Sequence, residues 1–184
     1  TGLDLENEII SIAFAWSRHD GVAIDLSING TYYLKKFFET YKGRLIFHNG
    51  LFDVKMLIRD IWMKHPTDYA GLLDGLFYLR NFDDTMVLAY LAKNATTQVS
   101  LGLKEISLEY VGNYALELED LTKYTKAEIL KYNLIDALAT FYVYEKYKKE
   151  RHSRPYREIF KPSLYTLTKM MLVGLPMNSN RVEE

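Results

Sequence analysis

Apolar residues crowd the stretch from Glu8 to Trp16, where Ile9, Ile10, Ile12, Ala13, Phe14 and Trp16 predict a β-strand. Asp20-Gly21 is a turn signal, and residues from Val22 to Leu26 predict a second strand, so the pair reads as a hairpin. Helical spacing follows from Thr31 to Tyr41 through Tyr33, Leu34, Phe37 and Phe38. The short apolar run from Arg44 to His48, bounded by Gly43 and Asn49-Gly50, predicts a buried strand. A helix from Leu51 to Trp62 follows, carried by Val54, Leu57, Ile58 and Ile61, and Pro66 closes that region. From Thr67 to Phe82 the pattern matches neither period. Asp84 can cap a helix through Met86, Leu88, Tyr90 and Leu91, and the segment from Leu103 to Tyr110 predicts a short helix. Thr125 with Glu128 forms a capping-box pair and opens a long helix from Lys126 to Lys149. Pro155 and Pro162 punctuate the tail, Ser163 to Leu172 predicts one more helix, and Pro176-Met177-Asn178 reads as extended. Strands come first and helices interleave later, which predicts an α/β or α+β class with a mixed sheet.

Composition narrows this picture only a little. The 184 residues suit one domain with a short extension, and the 48% apolar content can fill a core. Lys and Arg (23) nearly balance Asp and Glu (24), so uniform attraction to phosphate is not the theme. There is no cysteine, which removes disulfides, thiolate zinc sites and cysteine nucleophiles from consideration. No apolar run approaches the roughly 20 residues that span a bilayer, and no secretory signal precedes the first strand. An intracellular, cytoplasmic protein is the default expectation. Thr1 and Glu184 read as arbitrary ends of an excised piece.

Two pairs of residues carry candidate chemistry. Tyr132 and Asp136 are four apart on the long helix and so share a face. At about 100° per residue, Asp136 lies opposite Leu134 and its own face carries Ile129, Ala139 and Val143. An acid on a helix with two apolar faces needs a partner or a cation, and that stripe holds no Lys or Arg. An acid at the helix edge bonded to water or backbone is the plainer reading of this pair alone. The second pair is Asn49 and Asp53. Asn49 stands at a strand-to-helix junction that suits a cap, and Asp53 falls in the first turn, where the helix dipole favours an anion. The functional reading is an acid facing a cleft at a strand end. The four histidines show no metal-ligand spacing, and His48 reads as structural.

Order and surroundings give these pairs more force. Phe47-His48-Asn49-Gly50-Leu51-Phe52-Asp53 resembles the Asn-x-x-x-Asp motif of the DEDD exonuclease superfamily. The segment Phe82-Asp83-Asp84-Thr85-Met86 resembles the intervening Asp-Thr-Met stretch of polymerase proofreading domains, and Ser100-Leu101-Gly102-Leu103-Lys104 the helix start that follows it. The residues Tyr132-Asn133-Leu134-Ile135-Asp136 resemble the Tyr-x-x-x-Asp motif of the tyrosine-bearing subgroup. Thr1-Gly2-Leu3-Asp4 is similar to the segment after the first, Asp-x-Glu, motif, which would lie ahead of Thr1. Leu172 to Asn178 and Arg181 to Glu184 resemble the entry to the polymerase region of a family-A DNA polymerase, a tail that ribonuclease D-type enzymes should lack.

The resemblance implies an RNase H-like (DnaQ-like) α/β fold, with a central mixed sheet between helices and the first strand incomplete or missing. It implies a 3′→5′ proofreading exonuclease over residues 1–150 and a linker helix leading to the polymerase region over 151–184. Two Mg²⁺ or Mn²⁺ ions would be held in part by Asp136 directly and Asp53 through water. Tyr132 would orient the attacking water, and Asn49 would touch substrate. Leu3 would wedge between the last two bases and Phe52 would pack on the terminal nucleotide, although each is equally readable as core. The implied partners are a frayed or single-stranded 3′ DNA end and a polymerase domain in the same parent chain, in a bacterial or phage-infected cell. Two carboxylates do not balance two divalent ions, so these residues alone are expected to bind Mg²⁺ poorly and to hydrolyse little. A catalytically dead scaffold and a ribonuclease D-like exoribonuclease are the competing readings.

Overall fold

The structure is a computed structural model that describes residues 9–26, 30–93, 100–114 and 123–174. Strands β1 (Ser11–Ala15) and β2 (Gly21–Asp25) form the expected hairpin, paired antiparallel from Ser11↔Asp25 to Ala15↔Gly21. The turn is closed by side chains: Ser17 Oγ donates to Asp20 Oδ2 at 2.7 Å and accepts the backbone N–H of His19 and Asp20. Helix α1 (Gly30–Thr40) buries Leu34 and Phe38. Strand β3 (Leu45–Phe47) leads into α2 (Gly50–Ile61), close to the predicted bounds.

The stretch that matched neither period is α3 (Tyr69–Leu79) followed by β4 (Phe82–Asp84), which pairs parallel to β3 with Phe47 opposite Asp84. Asp68 caps α3 by accepting the N–H of Gly71 at 2.9 Å and holds the preceding turn by accepting that of Lys64 at 2.9 Å. Helix α4 (Thr85–Ala92) starts on Asp84, as predicted. The short helix expected near residue 103 is two single turns, α5 (Leu103–Ile106) and α6 (Leu108–Val111). Helix α7 (Lys126–Tyr147) opens with both halves of the Thr125–Glu128 capping box formed. It ends two residues early and tightens into a 3₁₀ stretch over Lys148–His152. A π-turn (Tyr156–Phe160) then enters α8 (Lys161–Val173).

The single central mixed sheet is not what the described residues form. They make two separate two-stranded ladders, one antiparallel and one parallel, because no described strand pairs with both β1 and β3. Helix α7 packs across both strands of the hairpin and also reaches β3. Its seat on the hairpin is fixed by the Asn133 amide donating to Ser11 Oγ at 2.5 Å and by Lys126 pairing with Asp25 at 2.9 Å. The main core joins Leu34 and Phe38 to Val54, Leu57, Ile58, Leu72, Leu76, Leu79 and Leu164, so α8 belongs to the same packing unit as α2 and α3. Ala89, Ile106 and Val143 form a smaller core between α4, α5 and α7.

Close approach at Gly71 sets how α3 meets the end of α2. A Cβ there would stand 2.3 Å from the Trp62 carbonyl oxygen, a backbone atom that cannot swing away. Gly71→Ala is therefore expected to destabilise the fold by about 2 kcal/mol, the usual scale for overpacking. The urea midpoint should fall with its slope unchanged, and a midpoint equal to that of the wild type would contradict this packing.

Candidate functional site

The junction between β3 and α2 is built by a residue from another element. Asn49 has φ 59° and ψ 46°, a left-handed conformation that Asn tolerates better than most residues. Its side chain makes no cap hydrogen bond, which corrects the expectation that it caps α2. The cap comes from Asp84 on β4, whose carboxylate accepts the N–H of Asn49 at 3.2 Å and of Gly50 at 2.8 Å. The same carboxylate accepts Met86 N–H at 2.9 Å and Val87 N–H at 3.4 Å. One buried anion thus closes the start of two helices, where both dipoles favour it.

Asp53 lies one turn into α2, partly open to solvent. Burial, and then the charge of Asp84, push its carboxyl up from the ordinary 3.8 to about 7, against a small opposing pull from its own backbone N–H. Among the described residues no Lys or Arg forms an ion pair with it. Phe52 is half-buried, and Lys55 Nζ stands 5.5 Å from its ring centre.

A raised folded pKa means that the folded protein holds this proton more tightly than the unfolded chain does. Stability should therefore drop as pH rises from about 4 through 7, as a charge is forced onto a partly buried site. Asp53→Asn cannot ionise. It should leave stability unchanged at pH 4 and raise it by about 2 kcal/mol at pH 8, a value reduced for the partial solvent access of the group. Urea midpoints at the two pH values measure the difference, and parallel midpoints for the two proteins would contradict it.

His48 bridges two segments, as its structural reading anticipated. Its Nδ1 is 2.8 Å from Thr85 Oγ1 and its Nε2 is 3.0 Å from the Leu101 carbonyl. Burial lowers its pKa against the pull of Asp84 and the Leu101 bond, so the neutral ring donates from Nε2 and accepts the Thr85 hydroxyl at Nδ1.

On α7, Tyr132 and Asp136 are both half-buried, one turn apart on one face. Lys104 at the start of α5 donates to the Tyr132 hydroxyl at 3.1 Å and stands 4.7 Å from its ring centre. An ammonium on the phenolic oxygen leaves the phenolic proton to donate elsewhere. The structure thus couples Asp53 to Asp84, and Tyr132 to Lys104, and keeps Asp136 beside Tyr132. Leu3 lies outside the described residues.

The donor chemistry of Asp53 fits a hard divalent cation, which would relieve both its burial and the neighbouring charge. Among the described residues, however, no three His, Cys, Asp or Glu side chains gather closely enough to hold a metal. Asp84 and Lys104 stand in the sequence only as the cap of α4 and part of a helix start, with no sign of the partners they take here. The bonds from Asp84 to Asn49 and Gly50, and from Lys104 to Tyr132, join positions 28 to 35 residues apart, which no local pattern signals.

A family model described as a 3′-5′ exonuclease of DNA polymerase A type matches residues 1–151. No curated protein and no solved structure matches the chain.

Proposed function

Since the chain belongs to the DNA polymerase A 3′-5′ exonuclease family, we propose that it is the proofreading exonuclease domain of a family-A DNA polymerase. On this reading residues 1–150 are the nuclease, and residues 151–184 lead on to the polymerase region. The observation that carries the proposal is the family match itself, which spans Asn49, Asp53, Tyr132 and Asp136 in the order the motifs require.

Asp53 and Asp136 would hold divalent cations, Mg²⁺ or Mn²⁺. Bound there, such ions supply an activated water and a counter-charge for the phosphodiester as it breaks. Tyr132 would hold the attacking water by its hydroxyl, whose oxygen already accepts Lys104. Asn49 would bond the terminal nucleotide, and the Phe52 ring would pack on it. Leu3 would separate the last two bases. Asp53 and Asp136 are two acids toward two divalent ions, so further carboxylates would complete the site.

The test is directional. Full-length protein with Mg²⁺ should release mononucleotides from the 3′ end of single-stranded DNA and leave a 3′-phosphorothioate end resistant. Release from the 5′ end, or preferred hydrolysis of structured RNA, would overturn the proposal. Complete inactivity despite Mg²⁺ and Mn²⁺ would favour a scaffold.

A further inference from the structure

Tyr156 is the largest fully buried side chain of the molecule's described part, and it lies beyond the residues that the exonuclease family accounts for. Its hydroxyl does two things at once. It donates to Asp83 Oδ1 at 2.9 Å and accepts the backbone N–H of Asp84 at 3.3 Å. Asp84, itself 1% exposed, then accepts the N–H groups of Asn49 and Gly50. An unbroken series of hydrogen bonds therefore runs from the C-terminal segment, through β4, to the first residues of α2. The left-handed Asn49 has no cap bond of its own, so Asp84 is what holds it in that conformation.

We propose that Tyr156 is a positioning residue for the exonuclease site, fixing Asp84 and through it the start of α2 from which Asn49, Phe52 and Asp53 project. This rests on the function proposed above for that site. The segment after residue 151 is then not only a connector. Its first buried side chain braces the nuclease, and movement of α8 is transmitted to the residues that meet the DNA end. Burial and the adjacent Asp83 charge push the phenol well above its ordinary value, so it stays a donor throughout the working pH range. Lys161 at the start of α8 also reaches Asp83, at 3.2 Å, which ties the brace to that helix.

Tyr156→Phe keeps the ring and removes both bonds. In the full-length protein, amide exchange over residues 47–53 should accelerate by about tenfold, the loss of roughly one buried hydrogen bond. Exchange in α1 and β2 should not change. The kcat for 3′→5′ hydrolysis should fall by about tenfold, and KM for single-stranded DNA should rise with it, because Asn49 and Phe52 shift together with Asp53. Tyr32→Phe, on the exposed face of α1, serves as the control and should change neither. Asp84→Asn, which forfeits one acceptor oxygen, should raise exchange at 47–53 and 85–87 even if Tyr156→Phe accumulates poorly.

A purely structural hydroxyl predicts a different result: exchange rising equally in every core segment, with kcat intact. That result would overturn the inference, as would unchanged exchange at 47–53 in Asp84→Asn. If the wild type shows no hydrolysis sensitive to Asp53, the functional reading fails, while the exchange measurement still decides the role of Tyr156.

Discussion

Asp136→Ala in the full-length protein is expected to lower 3′→5′ hydrolysis by about a thousandfold. The physical reason is the small number of charges available at the site. Each carboxylate that holds a catalytic cation supplies several kcal/mol of transition-state stabilisation, and about 4 kcal/mol corresponds to three decades in rate. The capping box that starts α7 lies about two to three turns before Asp136, so the variant should keep the start of that helix. Asp136→Asn should be almost as slow as alanine, since a neutral amide balances no cation charge. Single-turnover release of the 3′-terminal nucleotide is the appropriate assay, because it excludes slow product release. Activity within tenfold of the wild type would remove Asp136 from the chemistry.

The largest effect on folding is expected at Asp83. Its carboxylate is fully buried and meets Arg44 at 2.7 Å, Tyr156 at 2.9 Å, Lys161 at 3.2 Å and Arg151 at 3.9 Å. Burial by itself would raise its pKa. The bonds from Arg44 and Tyr156 and the charges of Lys161 and Arg44 outweigh it and hold the carboxyl below the usual range. Asp83→Ala leaves three cations gathered without a counter-charge and a buried phenol without its acceptor. Removing one member of such a group costs about 3–5 kcal/mol. The lower end is expected, because the three cations are about a third exposed and can turn to water. Arg44→Ala should cost less, since Asp83 keeps Tyr156 and Lys161. A depressed folded pKa places this stabilisation above the ordinary carboxylate range and removes it as pH falls below that range. Acid unfolding of Asp83→Ala should accordingly be shallower than that of the wild type. A loss under 1 kcal/mol at pH 7, or an unchanged acid limb, would contradict this account.

Asp83 also shows where sequence reading stops. The hairpin, α1, α2, α4, α7 and α8 were legible because their signals are local: an Asp-Gly turn, a helical period, or Thr125 and Glu128 three residues apart. Strand β4 was not, because two of its three residues are acids and an isolated Asp-Asp pair argues against a buried strand. It exists because residues 39 to 78 positions away neutralise Asp83, and because Asp84 is consumed by backbone N–H groups. The same distance hid the cap of α2. Asn49 is the right residue at the right junction, and the local rule assigned the cap to its side chain. The structure uses its tolerance of positive φ instead and brings the acceptor from β4. At the candidate site the sequence supplied the four motif residues, while their partners, Asp84 and Lys104, needed the fold. The divided sheet has a similar origin, since strand order depends on pairings between segments that no single stretch of sequence contains.

The reading of this chain as a metal-dependent nuclease depends on Asp53 and Asp136 serving one cation cluster. Manganese binding followed by electron paramagnetic resonance, in the full-length protein and in Asp53→Ala, Asp136→Ala and the double variant, measures this directly. Each single variant should weaken tight Mn²⁺ binding by at least about tenfold, and the double variant should be little worse than the weaker single. Losses that simply add, or Mn²⁺ binding indifferent to either substitution, would show that the two carboxylates do not share an ion.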